Sequence, residues 1–229
     1  MKILALGAHP DDIEIFMYGL ASIYKKEGNE VYTMIATDGS KGGTPGGKSL
    51  SQKREKEAVA GLKNLSKPIF LNIPDGELGD NTMHRKIIKE NILKIMPDLI
   101  ITHSKNDYHS DHRSLSFLTC SAVSHSIPIL NCDTMMGVNF NPNFYVDITD
   151  YCSLKEEAIL KHISQKPQRF VDVFKLMNSY RAAQCNAQKG RYAEAYSFTS
   201  SFPFSDIREL LPKSPKLRPF HIDNQNGFL

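Results

Sequence analysis

The chain has 229 residues, enough for one large domain with a real core, and its 41% hydrophobic and 23% charged residues are ordinary for a soluble globular protein. Its 28 basic against 25 acidic residues leave a formal charge of +3, too small to argue for nucleic acid or an anionic membrane surface as partner. Four cysteines (Cys120, Cys132, Cys152, Cys185) with no CxxC pair read as reduced thiols, a reading favoured over a disulfide framework. The N-terminal apolar run is broken by His9, Asp11 and Asp12, so no signal peptide is expected. No apolar stretch approaches the roughly 20 residues that span a bilayer. The expected compartment is the cytoplasm.

In chain order, Lys2 to Gly7 predicts a strand, and Ile13 to Lys26 carries helical periodicity until Glu27-Gly28-Asn29 stops it. Val31 to Thr37 predicts a second strand, followed by a glycine-rich loop from Asp38 to Lys48. A helix over Ser51 to Leu65, a strand over Ile69 to Ile73 and a helix over Met83 to Met96, ended by Pro97, follow. Leu99 to Thr102 predicts a fourth strand, a helix runs from after His112 to about Val123, and Pro128 to Leu130 predicts a fifth strand. This βαβα rhythm predicts an α/β fold: a Rossmann-like, doubly wound, mostly parallel sheet with helices on both faces. Tyr145 to Ile148 reads as one more strand, and Leu154 to Ser164 and Val171 to Gln188 as helices. After Ser197 there are four prolines and no clear period. Residues 201–229 are therefore expected to wrap the domain or to make an oligomer contact, the whole chain 1–229 forming a single domain.

Chemistry concentrates where strands end. Gly7-Ala8-His9-Pro10-Asp11-Asp12-Ile13-Glu14 packs an imidazole and two adjacent carboxylates into the turn after the first strand, where open α/β sheets place their sites. His109-Ser110-Asp111-His112 forms a second cluster just beyond the fourth strand. Together they read as one divided metal site. Hydrolytic zinc sites keep three protein ligands and one open position. His9, Asp12 and His112 supply two nitrogens and a carboxylate, a set that suits Zn²⁺ and also Fe²⁺, Co²⁺ or Mn²⁺. Asp11, beside a ligand and turned the other way, is the candidate general base. His109, three residues before His112, shares its side of a first helical turn and is the candidate to serve the oxyanion and the leaving amine. Asp111 is the candidate to orient an imidazole from behind.

Each motif alone has a bland reading: His9 to Asp12 as a turn with an Asp helix cap, His109 to His112 as a solvated helix start. Both at strand ends of one sheet favour the metal site. Of the other histidines, His84, His125 and His221 read as surface or satisfied core residues, His103 as structural, and His162, placed mid-helix, as packing. A competing signal is Gly42 to Ser49, which fits the GxxxxGK[ST] phosphate loop and keeps a nucleotide-binding P-loop protein as the alternative. Against it, Asp38 to Lys41 intervene between strand and first glycine, and Leu99 to Thr102 leads into His103 instead of an Asp for Mg²⁺. The favoured expectation is a glycine-rich loop bordering the site, with the next helix presenting Arg54.

Ala8-His9-Pro10-Asp11-Asp12 with Glu14, Thr37-Asp38-Gly39, Arg54 with Glu57, Pro74-Asp75-Gly76 and Asp107-Tyr108-His109-Ser110-Asp111-His112 resemble the LmbE-like or PIG-L N-deacetylases. Tyr145-Val146-Asp147-Ile148-Thr149, His162-Ile163-Ser164-Gln165 and Arg191-Tyr192-Ala193-Glu194-Ala195 extend the likeness to about residue 200. The resemblance implies a zinc-dependent enzyme of Rossmann-like fold that removes acetyl groups from N-acetylglucosamine units of small conjugates. It implies His9, Asp12 and His112 as zinc ligands, Asp11 as general base and His109 as transition-state stabiliser or proton donor. Arg54 and Tyr192 become expected substrate-binding positions, and a small N-acetylated amino-sugar conjugate the expected partner. A relative that binds metal but has lost catalysis is the remaining alternative. The chain departs from the family at Phe16-Met17-Tyr18, which replace a small, glycine-rich stretch and keep only Gly19, so this helix is expected to pack differently.

Overall fold

The computed structural model describes residues 1–124, 126–199 and 210–213; His125, His221 and most of the expected tail lie outside them. Its strands are β1 (Lys2–Gly7), β2 (Glu30–Thr37), β3 (Ile69–Ile73), β4 (Leu99–Thr102), β5 (Ile129–Cys132), β6 (Phe144–Asp147) and β7 (Ala193–Thr199). They form one sheet in the order β3-β2-β1-β4-β5-β7-β6. The first five pair in parallel, and β7 runs antiparallel to both of its neighbours. The expected Rossmann-like α/β architecture is the observed one.

Strand alternation sends successive side chains to opposite faces, so β1 feeds two cores at once. Ile3 and Ala5 pack with Ile13, Leu20, Tyr24, Ala58 and Phe174; Leu4 and Leu6 pack with Ile88, Ile92, Leu115 and Leu118. One face is thus covered by α1 (Asp12–Phe16), α2 (Tyr18–Lys26), α3 (Lys48–Gly61), α6 (Cys152–Ile159) and α7 (Gln168–Gln184), the other by α4 (Thr82–Ile95) and α5 (Ser110–Val123). From β1 the chain moves outward to β2, and from β4 it moves the opposite way to β5. The crevice between the carboxyl ends of β1 and β4 is therefore the switch point at which such sheets bind ligands. No helix among the described residues is long and apolar enough to cross a membrane.

Three elements differ from the sequence expectation. The single helix expected over Ile13 to Lys26 is broken at Met17 (φ −132°) into α1 and α2. The break lets a buried carboxylate cap α2: Glu194 accepts hydrogen bonds from the Gly19 and Leu20 amides at 2.9 and 2.8 Å, where the helix dipole favours an anion. Lys155 (Nζ, 2.7 Å) and the Tyr196 hydroxyl (2.6 Å) complete its surroundings. Gly19 is retained because a Cβ there would lie 2.4 Å from Ile148 Cγ2. Second, β7 was not expected; its buried Glu194 hides the apolar alternation of a core strand, and the antiparallel insertion between β5 and β6 is a non-local pairing. Third, α6 ends at Ile159, so His162 sits in a turn, not in a helix. Of the tail, Leu210 and Leu211 pack on the core and the Tyr24 hydroxyl donates to Leu210 O.

A candidate metal centre at the switch point

The turn after β1 carries His9 into the crevice and starts α1 at Asp12. The long connection after β4 ends with His109 as the cap of α5, its Nδ1 accepting from the Asp111 amide at 3.2 Å, and His112 on the first turn. Four atoms of the three candidate ligands approach one another, both Asp12 oxygens among them. His9 Nδ1 lies 3.3 Å from His112 Nε2, His9 Nδ1 lies 3.3 Å from Asp12 Oδ2, and His112 Nε2 lies 3.3 Å from Asp12 Oδ1. A tetrahedral ion with bonds of about 2.0–2.1 Å separates its ligands by about 3.3 Å; the two imidazole nitrogens meet that spacing, and Asp12 approaches each of them through a different oxygen. The sequence-derived ligand set is brought together.

Each ligand is held from behind, as metal-binding imidazoles require. His9 Nε2 lies 3.1 Å from Asp111 Oδ2 and 3.3 Å from Asp75 Oδ1, while Asp107 Oδ2 lies 3.1 Å from His112 Nδ1. Asp111, expected to orient an imidazole, is brought within hydrogen-bond distance of His9. Sequence reasoning missed Asp75 and Asp107 in this role, although both stand in the quoted motifs, and it read His103 as structural. His103 is fully buried, stacks on His112 at 3.7 Å between ring centroids, and its Nε2 lies 3.0 Å from Asp12 Oδ2. Its position just past the end of β4 was the available signal. Phe16, from the divergent stretch, presents its ring edge-on to His103 and His112 at 5.9 and 6.0 Å.

Charge is sharply partitioned. Burial alone would raise the Asp12 carboxyl, but His112, His103 and His9 hold it well below the ordinary range. Burial opposes the charged imidazole of His9, yet Asp12, Asp111 and Asp75 lift it well above its usual value. His112, against the same burial, is raised to about 9 by Asp12 and Asp107. Burial, with His112 beside it, drives His103 down to about 4, so it stays neutral. Burial also lowers His109, helped by the neighbouring His9 and His112. With Nδ1 used as an acceptor, neutral His109 carries its proton on Nε2.

Asp11 behaves differently from its neighbour. Burial raises its carboxyl, and Arg54 only partly offsets this. Arg54 Nη2 donates to Asp11 Oδ1 at 3.1 Å and to Pro10 O at 2.8 Å, and Nη1 donates to Gly39 O at 3.0 Å. His9, Asp11, Asp12, His109, His112 and Arg54 line one cavity of about 510 Å³. Tyr192 is not among its lining residues; its amide donates to Thr149 Oγ1 at 3.0 Å and its carbonyl accepts from Ile148 at 2.9 Å. His162 lies under the site, Nε2 2.8 Å from Glu14 Oε1, both fully buried. Asn81 caps α4 by accepting from the His84 amide at 2.9 Å, and the His84 imidazole is partnered through Nδ1, 3.1 Å from Gly79 O.

The segment Gly42 to Ser49 does lead into a helix, but the Gly47 amide inside it donates to Ser40 O at 2.7 Å. An amide that a phosphate would need is thus consumed within the loop.

A family model described as PIG-L, GlcNAc-PI de-N-acetylase, matches residues 4–123, which is more than half the chain and includes both ligand motifs. The chain belongs to the PIG-L family. This PIG-L protein is 31% identical over 223 residues to the diacetylchitobiose deacetylase of Thermococcus kodakarensis, across 86% of this chain and 82% of that protein. It is similar in structure to the N,N'-diacetylchitobiose deacetylase of Pyrococcus horikoshii, with a TM-score of 0.77 and 26% identity over 86% of this chain and 83% of that one. A 4-carboxy-2-hydroxymuconate hydratase of Pseudomonas putida shares the fold too, with a TM-score of 0.78 and 17% identity over 90% of this chain and 98% of that one. Shape alone therefore does not select the reaction; the residues in the site must.

Proposed function

We propose that this PIG-L protein is a zinc-dependent hydrolase that removes the N-acetyl group from a small N-acetylglucosaminyl conjugate, of the kind its deacetylase relatives are named for. The observation that carries this reading is the placement of Asp11 and His109 in the cavity that His9, Asp12 and His112 also line. The two-nitrogen, one-carboxylate set and its 3.3 Å approaches support zinc as the cation. When bound, such a cation supplies Lewis-acid polarisation of the acyl group and of water.

The chain's own residues supply the proton transfers. Asp11, fixed through Oδ1 by Arg54, takes the proton of the attacking water. A carboxyl raised by burial sits nearer the working pH and is a better base than an ordinary Asp. Neutral His109 offers Nε2–H to the oxyanion and then to the leaving amine. Arg54 positions Asp11 through Nη2, and it lines the cavity where a substrate contact was expected of it. Asp11 and His109, the base and proton donor of this reading, both line the cavity, which favours it over a relative that has lost catalysis.

The test combines metal analysis of the purified protein with amine-release assays on a panel of N-acetylglucosaminides. Asp11→Asn keeps near-stoichiometric metal and loses on the order of 10²–10⁴ in turnover, whereas His112→Ala loses the metal. Full activity of Asp11→Asn would remove the base assignment.

A further inference from the structure

The segment His162-Ile163-Ser164-Gln165 plays no part in the chemistry above, yet its last residue reaches the cavity. Gln165 is 5% exposed and lines the same cavity as Asp11 and His109. Its amide is fixed by a short relay. Gln165 Nε2 lies 3.1 Å from Ser164 Oγ, and Ser164 Oγ lies 2.6 Å from Glu57 Oε2. The Ser164 amide donates to the other Glu57 oxygen at 2.9 Å.

Hydrogen-bond accounting then settles which end of the amide faces where. A serine hydroxyl has one proton, and the Glu57 carboxylate, an acceptor only, claims it. Ser164 Oγ can therefore only accept from Gln165, so the NH₂ end is turned to Ser164 and the carbonyl Oε1 is left on the other side. There it adjoins Gly42, another wall residue: a Cβ at Gly42 would lie 3.2 Å from Gln165 Oε1 and 2.2 Å from Arg54 Nη1. No donor among the described residues bonds Oε1. Oε1 stays accessible from the cavity, so a hydroxyl of a bound ligand can reach and donate to it.

We propose that Gln165 is a specificity-determining residue whose Oε1 accepts a hydrogen bond from a hydroxyl of the bound sugar, with Ser164 and Glu57 as positioning residues that prevent the amide from turning. The proposal rests on the deacetylase reading for the identity of the ligand as an N-acetylhexosamine. Neutral hydrogen bonds contribute about 0.5–1.5 kcal/mol net, equivalent to roughly 2–13-fold in affinity. A site built around one rejects the analogue that lacks it.

The experiment measures binding of N-acetylglucosamine and its 3-, 4- and 6-deoxy derivatives to the metal-loaded protein by calorimetry, alongside amine release from the same compounds. Wild type should lose roughly 2–13-fold towards one deoxy derivative. Gln165→Leu should lose a similar factor towards the parent sugar and show no further loss towards that derivative. Gln165→Glu, which puts an acceptor where Ser164 Oγ needs a donor, should weaken the discrimination, as should Ser164→Ala. Equal discrimination by wild type and Gln165→Leu across all derivatives overturns the assignment while leaving deacetylation intact. Coupling without amine release from any compound supports the assignment and removes the deacetylase reading. Failure of wild type to bind any of the sugars overturns both.

Discussion

The His9 imidazole can serve as a ligand through Nδ1 only while its other nitrogen is held, and two carboxylates share that task. Replacing Asp111 by Ala removes the closer acceptor, at 3.1 Å, and leaves Asp75 at 3.3 Å on the same Nε2. Asp111 also accepts from the Gly76 amide at 2.9 Å, but Gly76 is exposed and its amide can turn to water. The loss therefore falls mainly on the orientation of His9. Removing such an outer partner weakens metal affinity by about 10–100-fold, or about 1.4–2.8 kcal/mol. With Asp75 in reserve, Asp111→Ala should fall near the lower end, about tenfold. The double variant Asp75→Ala/Asp111→Ala should approach the upper end, about 100-fold. Asp111→Asn, which keeps an acceptor oxygen, should lose less than Asp111→Ala. Competition for Zn²⁺ against a chromogenic chelator at fixed pH reads all three. A double variant that binds zinc within about threefold of wild type would show that the imidazole needs no outer carboxylate.

Zinc binding should release protons. In the protein without a cation His9 is raised well above its usual value and His112 to about 9, so near pH 7 both carry the proton that a ligand must give up. Apparent affinity should accordingly rise with pH through about 9, where His112 gives up its proton; calorimetry in buffers of different protonation enthalpy should register about two protons per ion at pH 7, and a buffer-independent enthalpy would contradict it. Lys155→Met strands the buried Glu194 carboxylate and should destabilise by about 3–5 kcal/mol, a fall in Tm of roughly 6–20 °C for a chain of this size. Adding Glu194→Gln should recover part of it; an unchanged Tm for the single variant would refute the account.

The sheet and the meeting of His9, Asp12 and His112 were legible in the sequence because both rest on local signals. Parallel strands buried on both faces write continuous apolar runs such as Ile3–Leu6 and Leu99–Ile101. A His/Asp cluster just after such a run is placed by topology alone. What escaped depends on pairings distant in sequence. Glu194 looks like a surface carboxylate until Lys155 and the α2 amides close on it. His103 gave the same strand-end signal as His9 but stood alone, without an adjacent carboxylate. His162 looked helical because nothing nearby announces that its partner is Glu14, which lies in α1. Tyr192, expected near substrate by resemblance alone, lies where its backbone braces the segment after β6.

Two adjacent carboxylates can take opposite roles only if the backbone between them turns sharply, and Asp11 shows how. Its φ of 140° is a conformation that L side chains rarely adopt. Arg54 holds it there from three sides, through Pro10 O, Gly39 O and Asp11 Oδ1. The turn directs Asp12 to the imidazoles and Asp11 to the guanidinium, so ligand and base do not compete for one cation. Such strain amounts to about 1–3 kcal/mol, and glycine relieves it at an entropic cost of about 0.5–1 kcal/mol relative to alanine. Asp11→Gly and Asp11→Ala both remove the base and the Arg54 contact, and differ only in the Cβ. Asp11→Gly should therefore be the more stable of the two by roughly 0.5–2 kcal/mol, although both are inactive. If thermal unfolding ranks Asp11→Ala equal or higher, the turn is unstrained and the separation of the two carboxylates needs another cause.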